Sequence, residues 1–417
     1  MNTPARKILR KPAPDAHAFF APCPRGLAPA LAEELTGLGA LNTEAVEAGV
    51  SFRGPFELVY AANLRSRIAS RILWRVAQFP YANENDVYER AKEVGWRDHF
   101  SAERTFRIET NAHRSPVKSL DFVTLRVKDA IADHFREAMG RRPSVAPRDP
   151  DLRVHAFLDP KQCTLYVDTS GEPLFKRGRR EHVGEAPIKK NLAAGILRIA
   201  GWRPGVALLD PMCGAGTFLT EAADMALGRA PGRDRPFGFQ KLARYNVSVW
   251  ERELAAAARE EKPVAPLPIF GSDLYGRSLE HARMNLRDAG LDPAVTLKQA
   301  NLLELSAPAS HGMLVTNPPY GVRLGEKERL AAFYPQLGDT LKKRFAGWTA
   351  YVFSGDPDLA KLIRLHASRK TVLFNGALEC RLYEYRMVAG GNRPQRGGDP
   401  KPGARPAATF TGKRRPS

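Results

Sequence analysis

The chain holds 417 residues, and its 64 Lys and Arg exceed its 45 Asp and Glu by 19 charges. At 43% hydrophobic and 26% charged it can bury two or three domain cores, which excludes wholesale disorder. No apolar run nears the roughly 20 residues of a membrane span, and four scattered cysteines without a CxxC pair argue against structural zinc or a disulfide framework and fit a reducing cytoplasm.

In chain order, residues 1–15 read as a loose basic arm broken by Pro4, Pro12 and Pro14, with no apolar core of a secretory signal. AFFAPCP (18–24) predicts a strand, GLAPALAEELTGLGA (26–40) a helix with apolar residues three and four apart, and 41–54 two strands around a turn. Residues 56–78 predict a helix and a strand, 85–97 a helix, 104–113 a strand, and 117–139 a long basic helix. RVHAFLD (153–159) and CTLYVDTS (163–170) predict paired strands. This order suggests α+β as far as about residue 170. From 186 strands and helices alternate. A helix at 186–202 precedes the apolar strand VALLD, the helix TFLTEAADMAL, the strand PIFGSD and the helix SLEHARMNLRDAG. MLVTNPPYG, a helix at 327–345, the strand TAYVFSG, a helix and two closing strands follow. Such alternation is the signature of a doubly wound, mostly parallel sheet. Residues 389–417, with seven Lys or Arg and one acid among Gly and Pro, form a basic tail expected to be disordered.

Two loops carry the candidate chemistry. LLDPMCGAGTF (208–218) is a strand ending in an acid, then a turn in which Gly214 and Gly216 let the backbone pass close to a ligand. Ligands in open parallel sheets bind beyond the carboxyl ends of the strands. No GKS or GKT follows, so this is not a phosphate-binding Walker loop. Asp273 closes the next strand, placed to accept bonds from ribose hydroxyls or to cap a helix. A GxG turn paired with such an acid is the pattern of S-adenosylmethionine enzymes. The candidate cofactor residues are Asp210, Pro211, Cys213, Gly214, Gly216, Thr217, Asp273 and Asn301. Asn301 is either an adenine-edge contact or a turn residue. Cys213 fits the loop as a small side chain, and no partner base gives it a nucleophilic role.

The second loop holds the candidate catalytic residues Asn317, Pro318, Pro319 and Tyr320. Two prolines fix φ and remove two donors, leaving a stiff loop of acceptors. The Asn317 side-chain oxygen and the Pro318 carbonyl suit an exocyclic NH2 group, orienting it for in-line methyl transfer. Tyr320 offers a face on which a flipped base can stack. The pattern points to amine N-methylation without naming the base.

These residues resemble the class I methyltransferases that modify guanine N2 in 23S ribosomal RNA and carry ferredoxin-like and THUMP domains. The likeness covers roughly His17 to Met387, including FFAPCPRGL, LVYAANLRSRIASRILWRV, VKDAIADHFRE and GEPLFKRGRREHVGEAPIKKNLAAGIL. It implies a ferredoxin-like domain at 16–60 with a return segment near 160–185, a THUMP domain at 61–168, and a Rossmann-like methyltransferase domain at 186–388. It supports Asp210, Gly214, Gly216 and Asp273 as cofactor contacts, and Asn317, Pro318 and Tyr320 at the target base. Asn301 stands where an Asp is usual, Arg179 where Tyr is usual, and Lys190 where Glu is common.

Two basic runs lie in the part that the resemblance assigns to RNA. Arg114, Lys118, Arg126 and Lys128 cluster around the long helix, and Lys176, Arg177, Arg179 and Arg180 form the second run. Backbone phosphate contacts are expected from them, or else a solvated face of i,i+4 pairs. The expectation is therefore a cytoplasmic enzyme that uses S-adenosylmethionine and no metal to methylate guanine N2 in large-subunit rRNA or its precursor. The rivals are the same chemistry on tRNA guanine or on adenine, and a non-catalytic RNA-binding assembly factor.

Overall fold

The computed structural model describes residues 16–178, 188–319 and 326–388. Strand β1 (His17–Pro22) turns Phe19 and Ala21 inward, and helix α1 (Ala28–Gly37) buries Ala28, Leu31 and Leu35 at three- and four-residue spacing. A hairpin of β2 (Leu41–Val46) and β3 (Gly49–Gly54), helix α2 (Leu58–Arg65) and strand β4 (Leu73–Pro80) follow. Then come α3 (Glu84–Lys92), β5 (Phe106–Ala112), α4 (Leu120–Met139), β6 (Leu152–Leu158) and β7 (Gln162–Asp168). The seven strands form one sheet in the order β2-β3-β1-β4-β7-β6-β5, in which only β5 and β6 run parallel. β4 is the shared strand. It pairs with β1, Phe19 opposite Trp74, and on its other side with β7.

Helix α4 shows why its segment is helical. The Ser119 hydroxyl caps the first turn by accepting the Phe122 amide at 3.2 Å, and Gly140 ends the helix at φ 70°. Val123, Val127, Ala130, Ile131 and Phe135 bury one stripe, which packs on α3 and β5.

The second half begins with α5 (Lys190–Ile199), β8 (Leu208–Asp210), α6 (Thr217–Ala226), α7 (Val247–Glu260), β9 (Ile269–Asp273), α8 (Gly276–Asp288) and β10 (Thr296–Gln299). It ends with β11 (Gly312–Thr316), α9 (Glu326–Arg344), β12 (Trp348–Ser354), α10 (Pro357–Lys361), β13 (Arg369–Asn375) and β14 (Leu378–Arg386). The sheet order is β10-β9-β8-β11-β12-β14-β13. The first five strands are parallel, and β14 is antiparallel to both neighbours. This is a doubly wound α/β sheet, as the alternation predicts.

Two segments differ from the sequence reading. The pattern gives no element between 228 and 267, where α7 lies. Only Trp250 and Ala257 are buried on that helix, so it lacks a full apolar stripe. The stretch that ends at Asn301, which the sequence reads as apolar, is edge strand β10, with Thr296, Lys298 and Gln299 exposed.

A single apolar cluster runs from Phe19 through both sheets to Leu382. At the seam, a Cβ on Gly195 would lie 2.3 Å from Leu27 Cδ1, so glycine is what lets α5 approach α1. Helix α7 helps close the seam: the Tyr60 ring meets Phe239 at 4.8 Å and Trp250 at 6.2 Å, and its hydroxyl accepts the Asn246 amide at 2.8 Å. No described helix is long and apolar enough to cross a membrane.

Candidate active site

From β8 the chain winds one way through β9 and β10, then crosses back to build β11 and β12 on the other side of β8. The switch point lies between β8 and β11, which pair in parallel, Leu209 opposite Leu314. Asp210 ends β8, and Asn317 directly follows β11, so both candidate loops leave the same sheet edge. This is the edge at which ligands bind in such folds.

The first loop is held by its neighbours. The Cys213 amide donates to the Ser272 carbonyl at 2.9 Å, the Gly214 amide to Asp273 Oδ2 at 3.0 Å, and the Asn285 side-chain amide to the Ala215 carbonyl at 2.9 Å. The Ser272 hydroxyl donates to the Pro211 carbonyl at 3.3 Å. Gly214 and Gly216 have φ of 52° and 79°, the left-handed region that glycine tolerates. Their surroundings differ. A Cβ on Gly214 would meet nothing within 4 Å, whereas one on Gly216 would lie 3.2 Å from Ala282 Cβ on α8. Gly214 thus leaves open space for a ligand, and Gly216 permits close helix packing. Thr217 opens α6 and is buried. From the sequence Ser272 reads as a candidate helix cap, and Asn285 carries no assignment. The signal for Asn285 was a polar residue on the buried stripe of α8, beside Leu279, Ala282 and Leu286.

Asp210 is 2% exposed and accepts the Met212 amide at 3.3 Å. Burial pushes its carboxyl up to about 8, with Asp273 adding to the rise. Burial, then Asp210 and Asp273, push the Cys213 thiol up as well, so it stays protonated and is no nucleophile. Asp273 also accepts the Tyr275 amide at 3.0 Å through Oδ1. Both its oxygens touch backbone, and each keeps a lone pair for a ligand. Asn301 caps a short turn, its Oδ1 accepting the Leu303 amide at 3.1 Å, a bond that does not use its side-chain nitrogen.

In the second loop, Asn317 Oδ1 is buried with no hydrogen-bond partner among the described residues, while the Thr316 side chain hydrogen-bonds the Asp210 carboxyl and opposes the rise that burial causes. Pro318 is buried and Pro319 exposed, and the Pro319 carbonyl accepts the Tyr334 hydroxyl at 3.4 Å. Tyr320 lies outside the described residues. A buried acceptor without a donor is costly, and an incoming amine would satisfy it. Open space at Gly214 beside the carboxyl groups of Asp210 and Asp273 fits a cationic, ribose-bearing cofactor such as S-adenosylmethionine.

The expected RNA contacts divide. Arg114 and Lys118 are exposed and make no ion pair among the described residues. Arg126 bonds Asn85 and lies 4.3 Å from the centre of the Tyr88 ring. Lys128 pairs with Asp129 at 2.9 Å, and Lys176 with Glu172 at 3.0 Å. Arg177 requires a correction. It is buried at the seam, where Nε and Nη2 donate to the two Glu221 oxygens at 3.0 and 2.6 Å, so it cannot reach a phosphate. Arg67 approaches the same carboxylate at 3.4 Å. Arg179 and Arg180 lie outside the described residues.

Residues 177–384 match a family model described as an RMKL-like methyltransferase domain, 81–168 a THUMP domain, and 18–73 an RlmL ferredoxin-like domain. The chain is 42% identical to a ribosomal RNA large subunit methyltransferase K/L of Syntrophotalea carbinolica, over 88% of this chain and 53% of that protein. It is 38% identical to a Synechocystis protein named as a candidate RNA methyltransferase, over 90% of this chain and all of that one. The chain thus spans about half the length of the K/L relatives it matches. A crystal structure of a candidate methyltransferase complexed with SAH superposes with a TM-score of 0.82 at 28% identity, covering 90% of this chain and 99% of the other. A possible methylase from Clostridium difficile gives 0.82 at 27%, covering 91% and 100%.

Proposed function

The chain belongs to the RMKL-like methyltransferase family with ferredoxin-like and THUMP domains, and from that premise we infer that it methylates the exocyclic N2 amine of a guanine in large-subunit ribosomal RNA. The observation that carries this reading is Asn317 Oδ1, buried without a donor among the described residues at the switch-point edge beside the glycine loop. The bound cofactor supplies a methyl group on a positively charged sulfur. The protein's own groups do the rest. Asp273 accepts from ribose hydroxyls, Asp210 offers a carboxyl to the cationic part, and Gly214 leaves the space. Asn317 Oδ1 and the Pro318 carbonyl each accept one amine hydrogen, which turns the nitrogen lone pair toward the methyl group. Tyr320 stacks on the flipped base. The methylated amine loses its proton to water, so no strong base is required.

Arg114 and Lys118 contact phosphates and orient the RNA without reading its sequence. The enzyme works in the cytoplasm, on rRNA or its precursor particle. Nucleoside mass spectrometry of large-subunit rRNA and tRNA from cells lacking the gene tests the reading. Loss of N2-methylguanosine from large-subunit rRNA is the expected result. Loss from tRNA, or of a methyladenosine, would move the substrate. An unchanged nucleoside profile would favour a non-catalytic RNA-binding factor.

A further inference from the structure

One stripe of α4 faces away from the core. Phe122 and Leu125, three residues apart on it, are each 49% exposed, and Leu120, on another side of the first turn, is 39% exposed, although they sit among polar neighbours at the start of a well-capped helix. Phe122 lies one turn beyond Lys118, and the loop before the helix carries Arg114. The platform is fixed from below. The Tyr81 hydroxyl lies 2.7 Å from Ser115 Oγ and donates to the Asp159 carbonyl at 2.7 Å, while the His113 amide donates to the Leu158 carbonyl at 2.8 Å. Residues 113–128 contain four Lys or Arg and a single acid, Asp121, while Glu84 accepts the Lys118 amide and Asp129 pairs with Lys128 at the far end. An exposed aromatic ring four residues from Lys118, which like Arg114 makes no ion pair among the described residues, suits a ligand with π faces along a polyanion. The Arg126 guanidinium, 5.9 Å from the Phe122 ring centre and held by Tyr88 and Asn85, limits the ring's freedom on one side.

We propose that the first turns of α4 form a base-stacking site for an unpaired segment of the RNA, with Phe122 stacking on a base while Arg114 and Lys118 hold the flanking phosphates. A base inside a duplex shows no free face, so the site selects single-stranded or looped RNA next to the target. The proposal rests on the reading of the chain as an RNA methyltransferase.

The test uses the full-length protein and a short RNA carrying 2-aminopurine, free or annealed to its complement. A stacked base contributes about 1–3 kcal/mol, so F122A weakens single-strand binding roughly 5- to 150-fold. F122W keeps the binding and the 2-aminopurine quenching. F122A leaves duplex binding and the salt slope unchanged, whereas K118A lowers the slope by roughly 0.7. Because Phe122 is half exposed, the thermal midpoint of F122A should match wild type, and that is measured alongside. Equal single-strand affinity of F122A and wild type would overturn the proposal, as would equal losses on strand and duplex. A wild-type protein that methylates no RNA, while F122A still loses strand binding, would sink the methyltransferase reading and leave the stacking site standing.

Discussion

Burial holds Asp210 as a neutral acid up to about pH 8 in the ligand-free protein. Its folded value is raised, so its contribution to stability is complete below about 4 and is lost as pH rises toward about 8. Asn at this position carries no such dependence. D210N should therefore melt higher than wild type, with the gap widening from about pH 5 to about pH 8, as followed by calorimetry. A cationic cofactor favours the carboxylate, so binding should release a proton, and affinity should rise with pH until about 8. Titration calorimetry in two buffers of different ionisation enthalpy reads that proton, and D210N should release none. At Asn317 the expectation is kinetic. Removing its acceptor in N317A should lower turnover on the order of 100-fold with cofactor affinity unchanged. A wild-type rate for N317A would remove the role assigned to the loop. Asp210, Asp273 and Asn317 were legible because each ends or follows an apolar strand. Arg177 was not, because a basic run looks alike whether its side chains meet phosphate or a buried Glu221 contributed by a distant helix.

Helix α6 connects the cofactor loop to the seam. Its first residue, Thr217, follows Gly216, and one turn later Glu221 is buried against Arg177 and Arg67. Burial alone would raise the Glu221 carboxyl, but the two arginines hold it below the usual range. A wholly uncompensated buried charge costs about 3–5 kcal/mol, and removing Arg177 leaves Glu221 with Arg67, so the cost is part of that. R177M should lower the urea midpoint accordingly, and E221M in the same background should recover part of the loss. No shift in R177M would mean that the pair adds nothing to the seam. The same elements show the limits of periodicity. Helix α4 is legible because five buried apolar residues repeat on one stripe. Helix α7 buries only two residues and owes its place to Tyr60, far away in sequence, and to Phe237 and Phe239 just before it, all packed on Trp250. Strand β10 is an edge with little to bury, and β4 joins two groups of strands in one sheet, so no linker marks a division there.

At the scale of the molecule, one apolar cluster and a buried ion pair fix the first sheet against the second. The α4 surface and the glycine loop therefore keep one separation, so RNA held at α4 as proposed would meet the switch-point edge at a set distance. Such a grip positions, but its strength comes from counterion release, and much of the positive charge lies elsewhere. Residues 389–417 carry seven Lys or Arg against one acid. Each phosphate contact they make adds about 0.7 to 0.9 to the slope of log affinity against log salt. Deleting 389–417 should therefore weaken RNA binding and flatten that slope, while the modified nucleoside stays the same, because Asn317 and the glycine loop are untouched. Anisotropy titrations over a range of salt, with nucleoside mass spectrometry on the product, separate the two effects. An unchanged slope would mean that the folded domains make all the phosphate contacts. A changed nucleoside would mean that the tail takes part in choosing the base.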